Sequence, residues 1–97
     1  MPVKKSTARR CTLPGKSIGS VEDFYEQISR KLGFPATFGR NLDALWDVLT
    51  TDIKGPVELA WEDSELSKKS MGKDFEKVAA LLRDVGKERQ DFKVSFL

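Results

Sequence analysis

The sequence contains no histidine and one cysteine, and these two shortages exclude most of the sites that could make a small protein an enzyme. Without an imidazole there is no Ser-His-Asp or Cys-His nucleophile and no histidine-ligated zinc. A lone Cys11 excludes an intrachain disulfide or a thiolate cluster, favours a reducing compartment and is interpreted as a small buried thiol. Only carboxylates, lysines and hydroxyls remain for chemistry.

Long hydrophobic runs are also missing. No stretch approaches the roughly 18 apolar residues of a membrane helix, and residues 1–10 lack the apolar centre of a secretory signal. We therefore expect a soluble, cytoplasmic protein. Its 97 residues predict one domain over 1–97, with residues 1–6 loosely ordered, and the 39% hydrophobic and 33% charged residues are ordinary for a globular fold.

The net charge of +2 conceals an uneven distribution of charge along the chain. Residues 1–16 carry a net +5, residues 17–40 are neutral, residues 41–65 carry −6 and residues 66–97 carry +3. A weakly basic chain therefore contains one strongly acidic segment.

Hydrophobic periodicity predicts helices alternating with strands. The clearest helix has Ser20 as its N-cap and Gly33 as its stop, and a second helix is capped by Asn41 after a turn at residues 39–40. Gly86 is predicted to mark the fraying end of the last helix. The predicted strands cover residues 8–13, 56–61 and 92–96, and the predicted helices cover residues 21–32, 42–50, 63–70 and 73–87. This alternation predicts an α/β fold with a small parallel sheet packed against helices, because parallel neighbours need long crossovers.

The helix over 42–50 carries an unusual acidic strip. On a wheel at about 100° per residue, apolar side chains cover most of the circumference and leave a polar strip about 60° wide with Asp43 and Asp47. Like charges four residues apart disfavour a helix, and only Asp43 lies near the positive end of the dipole. Such a local conflict indicates a functional site. Trp46 borders the strip and is interpreted as a core residue rather than an interface anchor.

The residues from Gly39 to Asp47 read GRNLDALWD and closely resemble the signature of the barstar family of ribonuclease inhibitors. The resemblance extends back through SVEDF at 20–24 and LGFP at 32–35, and forward to PVELAW at 56–61. It implies a three-stranded parallel sheet with about four helices, the arrangement that the strand and helix pattern also favours. It further implies a bacterial immunity protein that blocks the active site of a secreted, barnase-type (guanyl-type) ribonuclease from within the cell, without a cofactor and without catalysis.

The resemblance also implies which residues touch the nuclease. Asp43 and Asp47 would be the central acidic contacts on the helix, with Asp47 the stronger, and the loop before them would face the enzyme. Asp84 stands where family members have a glutamate and would lie at the rim, although an ordinary solvated position is the alternative. The implied set is Asp43, Asp47, Asn41, Gly39, Phe38, Trp46 and Asp84.

Three positions depart from the family pattern. Thr37 stands where an aromatic contact is expected, Arg40 replaces an acid, and Asp52 stands where a tryptophan is expected. Family members are also acidic overall, unlike this chain. These departures bear on the identity of the target more than on the fold, so another basic protein is an alternative partner. In either case we expect a monomer or a 1:1 complex.

Two functions of other classes compete with inhibition. Asp43 and Asp47 could form an acid/base pair or bind a divalent cation, but both lie on one wall with no second ligand cluster. The basic N-terminal segment could contact nucleic acid through Lys4, Lys5, Arg9 and Arg10, although it lacks interleaved aromatic residues. We therefore expect no metal, no membrane contact and no direct nucleic-acid binding.

Overall fold

The computed structural model describes residues 9–97, and for Arg9 the backbone alone. Within this range the chain forms three strands and four helices, as the α/β pattern predicts. The strands are β1 (Arg9–Pro14), β2 (Val57–Glu62) and β3 (Phe92–Phe96), and the helices are α1 (Val21–Leu32), α2 (Leu42–Asp47), α3 (Ser64–Met71) and α4 (Lys73–Glu88). A 3₁₀ turn (Gly15–Ser17) follows β1, and a π-helical turn (Val48–Asp52) continues α2. The predicted loose segment 1–6 lies outside the described residues.

The sheet is parallel, with the strand order β1-β2-β3. Alternate residues of each strand turn one face of the sheet into the core. Trp61 of β2 is completely buried at the centre of this face, stacked on Phe24 at 5.2 Å between ring centroids and edge-on to Phe75 at 5.0 Å. Its indole N–H donates to Ser67 Oγ at 3.0 Å, so the buried donor is satisfied.

The boundaries of α1 confirm the predicted caps. Ser20 Oγ accepts a hydrogen bond from the Asp23 N–H at 3.1 Å, and Asp23 Oδ2 accepts one from the Gly19 N–H at 3.1 Å. Gly33 ends the helix in the left-handed region with φ of 69°, where a side chain would be disfavoured. The apolar stripe of Phe24, Tyr25, Ile28 and Leu32 faces the core.

The prediction of one α-helix over 42–50 is wrong at its carboxyl end. Regular α-helix ends at Asp47, and the chain continues as the π-helical turn, in which the Ile53 N–H donates to Val48 O at 3.1 Å. Thr50 Oγ1 donates to Trp46 O at 2.7 Å, and Thr51 Oγ1 donates to Asp47 O. Hydroxyls that bond back to the carbonyls of the preceding turn compete with the regular helical pattern.

Two smaller boundaries also differ from the prediction. Pro14 belongs to β1, which tolerates the missing N–H because β1 is an edge strand of the described sheet. Gly86 lies inside α4 rather than at its end, and the helix continues to Glu88. A Cβ at Gly86 would lie 3.5 Å from Phe92 O, so α4 passes close to the backbone of β3 at this residue.

Candidate partner-binding site

The amino end of α2 is held by the side chain of Asn41. Its Oδ1 accepts a hydrogen bond from the Ala44 N–H at 2.8 Å, and its Nδ2 donates to Gly39 O at 3.3 Å. Arg40, which lies between Gly39 and Asn41, adopts the left-handed conformation with φ of 54°. A Cβ at Gly39 would lie 3.3 Å from Asn41 Nδ2, so a small residue there leaves room for the cap. Asn41 therefore sets the start and direction of the acidic helix.

Phe38 anchors the loop before α2 to the rest of the protein. Its ring is half-buried and packs edge-on against Phe34 at 4.9 Å and Tyr25 at 5.7 Å between centroids. The Phe38 N–H donates to Pro35 O at 3.0 Å and closes the turn. Of the predicted loop contacts, Gly39 and Asn41 are exposed, whereas Phe38 directs most of its ring to the interior.

Arg40, the residue that replaces an acid of the family pattern, is engaged within the protein. Its Nη2 lies 3.2 Å from Glu26 Oε1, and Arg30 Nη2 lies 2.6 Å from Glu26 Oε2. Arg30 first, and Arg40 second, hold the pKa of the Glu26 carboxyl below its usual value. The positive charge of Arg40 is thus partly balanced by α1 before any partner approaches.

Asp43 and Asp47 occupy the exposed side of α2, as the wheel predicts. Leu45 and Leu49 are completely buried on the other side, and Trp46 is half-buried against the core. Within residues 9–97 neither carboxylate has an ion pair within 4.0 Å or a side-chain hydrogen bond. We name the surface formed by Asp43 and Asp47 the acidic face. Its two charges are left to solvent or to a partner.

The carboxyl end of this helical segment is held by Arg89, which lies just beyond α4. Arg89 Nη1 donates to Leu49 O at 2.6 Å and to Ile53 O at 2.8 Å, and its side chain is only 14% exposed. Asp91 accepts from Arg89 Nε at 2.8 Å and from Nη2 at 2.9 Å. This pair holds the pKa of the Asp91 carboxyl below its usual value. A guanidinium there also complements the negative end of the helix dipole.

Sequence reasoning missed this clamp because its halves are 36 to 40 residues apart. Arg89 falls just beyond the periodic stripe of α4, where a charged residue is expected to be solvated. The one local signal is an acid two residues after the arginine, and that spacing is common.

Asp84, the predicted rim residue, is exposed on α4, and α4 packs against α2 and the π-helical turn. Its Oδ1 lies 3.8 Å from Lys87 Nζ. The structure therefore places Asp84 on the helix that packs against α2, with its carboxylate beside a neighbouring lysine. Thr37 and Asp52, at two departures from the family pattern, are exposed as well.

The alternatives to inhibition, which are metal binding, membrane contact and nucleic-acid binding, would each need further groups. In the described part of the chain, no cluster of three or more cysteine and carboxylate side chains is placed to hold a metal ion. Over the same residues, no helix combines the length and apolar character needed to cross a membrane. Lys4 and Lys5, on which a nucleic-acid contact would depend, lie outside the described residues, and Arg10 is exposed.

Comparison with known proteins agrees with the fold. The family described as "Barstar (barnase inhibitor)" matches residues 8–97. A Bacillus subtilis protein named "Putative ribonuclease inhibitor YrdF" is 32% identical over 87 residues, which are 89% of this chain and 96% of that protein. The family resemblance inferred from the sequence is thereby confirmed, and the chain belongs to the barstar family.

Proposed function

We propose that the protein is a stoichiometric inhibitor that blocks the active site of a barnase-type microbial ribonuclease with its acidic face. The observation that carries the proposal is the pair of exposed carboxylates, Asp43 and Asp47, without an ion pair anywhere in residues 9–97. Unpaired like charges one helical turn apart lower the stability of the helix, and a cationic partner would offset their repulsion.

The support beneath these two carboxylates favours the proposal. Asn41 holds one end of the helical segment and Arg89 holds the other, so the two acids approach a partner on a rigid support. A ribonuclease cleft binds the phosphates of RNA and is therefore cationic, and carboxylate oxygens can accept the same N–H donors. Little backbone ordering is needed on binding, which lowers the entropic cost of the complex. The protein itself performs no reaction.

The test is inhibition of purified barnase by wild type, Asp47→Asn and Glu65→Gln. Both substitutions remove one exposed negative charge, but Glu65 lies on α3 and outside the acidic face. We expect Asp47→Asn to raise the inhibition constant by about 30-fold or more, as loss of a central interface contact does, with an unchanged thermal midpoint. Glu65→Gln should inhibit like wild type. Equal inhibition constants for the two variants would refute the proposal.

A second candidate is inhibition or capture of a different basic protein through the same face. Thr37 and Asp52 favour it, because both are exposed beside the acidic helix where the family resemblance leads us to expect aromatic contacts. It is tested on the same three proteins. If barnase is not inhibited, the three proteins are used to capture a basic partner from the source cells. That partner should be retained by wild type and by Glu65→Gln, and should not be retained by Asp47→Asn.

A further inference from the structure

A groove of about 490 Å³ adjoins the acidic face. It lies between the first turns of α1, the loop that leads into α2 and the first turns of α4. The polar side chains that line it are the Asn41 cap, Tyr25 and the charged residues Glu22, Arg40, Asp43, Asp74 and Lys77. Asp43 belongs to both surfaces, so a partner seated on the acidic face reaches the edge of the groove.

Tyr25 provides the evidence that the groove is more than a gap between elements. The residue is only 5% exposed, and its ring packs against Phe24 at 5.6 Å and Phe38 at 5.7 Å between centroids. Among the residues that the structure describes, none forms a hydrogen bond with its hydroxyl. Its side chain lines an open groove, so water or a ligand can supply the partner that this hydroxyl lacks among the described residues.

The electrostatic surroundings of this hydroxyl are negative. Burial, and then the charges of Asp74 and Glu22, raise the pKa of Tyr25 above its usual value. These two acids line the groove from different helices, Asp74 from α4 and Glu22 from α1, and both act on the hydroxyl. A cation is therefore favoured at this point and an anion is disfavoured.

Counting the charges that remain available leads to the same sign. Glu22, Asp43 and Asp74 have no ion pair in the described range, whereas Arg40 is bound to Glu26. Glu26 is shared with Arg30, so Arg40 keeps part of its positive charge. The lining therefore holds three carboxylates, one ammonium and one partly balanced guanidinium. The lining carries one more negative than positive charge, beside a hydroxyl that has no partner among the described residues.

We propose that this groove, the Tyr25 groove, binds one arginine side chain of the protein partner. A guanidinium offers five N–H donors in a planar fork and is weakly hydrated for a cation, so it can donate to Tyr25 Oη and to the carboxylates of Asp74 and Glu22 together. This contact rests on the proposed function and adds to it, because it requires the partner to carry an arginine beside the cationic cleft that meets Asp43 and Asp47.

Binding to the groove is tested without any nuclease, with N-acetylarginine amide as the probe and amide NMR shifts as the readout. We expect saturable shifts in the lining segments 21–25, 40–43 and 74–78. Tyr25→Phe keeps the packed ring and should weaken binding about fivefold, the value of one hydrogen bond. Asp74→Asn should weaken it too, and Lys77→Ala should strengthen it by removing a competing cation.

Two matched controls separate the groove from general charge effects. Glu76→Gln removes the same charge two residues from Asp74, outside the groove, and should leave probe binding unchanged. The neutral N-acetylglutamine amide should not bind. The groove proposal is overturned by unsaturable shifts, by equal binding of the neutral probe, or by identical affinities of wild type and Tyr25→Phe.

Inhibition of barnase then distinguishes this proposal from the function on which it rests. If no variant inhibits while the arginine probe still binds, the proposed function fails and the groove stands as an arginine site. If inhibition depends on Asp47 but is identical in wild type, Tyr25→Phe and Asp74→Asn, the function stands and the groove is refuted as a partner contact. A severalfold rise of the inhibition constant in both groove variants, with Glu76→Gln unchanged, supports the proposal.

Discussion

Replacing Arg89 with alanine is expected to lower the free energy of unfolding by about 3 kcal/mol. The guanidinium donates two short hydrogen bonds, at 2.6 Å to Leu49 O and at 2.8 Å to Ile53 O, from a side chain that is only 14% exposed. Hydrogen bonds that involve a charged group contribute about 1.5 kcal/mol or more each, and two of them give the total. The loss corresponds to a thermal midpoint lower by about 15 °C for a domain of this size.

Urea unfolding followed by tryptophan fluorescence measures this loss, and Lys87→Ala is the matched control. Lys87 lies in the last turn of α4, is exposed, and makes only a long ion pair with Asp84 at 3.8 Å. Its removal should therefore change the free energy of unfolding by less than about 0.5 kcal/mol. Arg89→Lys should recover part of the loss, because one ammonium cannot reproduce the planar fork. If Arg89→Ala unfolds at the same urea concentration as Lys87→Ala, the clamp does not stabilise the helix end.

Two further predictions concern the ends of the helical segment. Asn41→Ala removes the acceptor of the Ala44 N–H and should cost about 1 kcal/mol in urea unfolding, whereas Asn41→Asp keeps the acceptor and should unfold near wild type; equal losses in both variants would exclude the cap. Because Arg89 depresses the pKa of Asp91 in the folded state, stability is present above the unfolded pKa, near 4, and is lost as the pH falls through the folded value. Asp91→Asn should flatten this acid-side slope relative to wild type, and an unchanged slope would contradict the assignment.

Local patterns predicted the parts of the fold that depend on neighbours in the chain. The apolar stripe and two caps located α1 correctly, and alternation located β2, because one buried face requires a period of 3.6 or 2 residues. The acidic face followed from the same geometry: residues four apart on a helix share a side, so Asp43 and Asp47 are exposed together.

Tertiary structure decided how these pieces act on one another. The order of the strands and the Arg89 clamp depend on contacts between segments that are tens of residues apart. Tyr25 shows the same limit at a single residue: in the sequence it is one member of an apolar stripe, and in the fold the charges of Asp74 and Glu22 act on its hydroxyl. Hydrophobic periodicity along the chain is enough to tell which side chains face the core and which carry the charge. Which residues these side chains contact depends on the tertiary structure. Periodicity shows on which side of a helix or strand a residue lies, but not which element packs against that side.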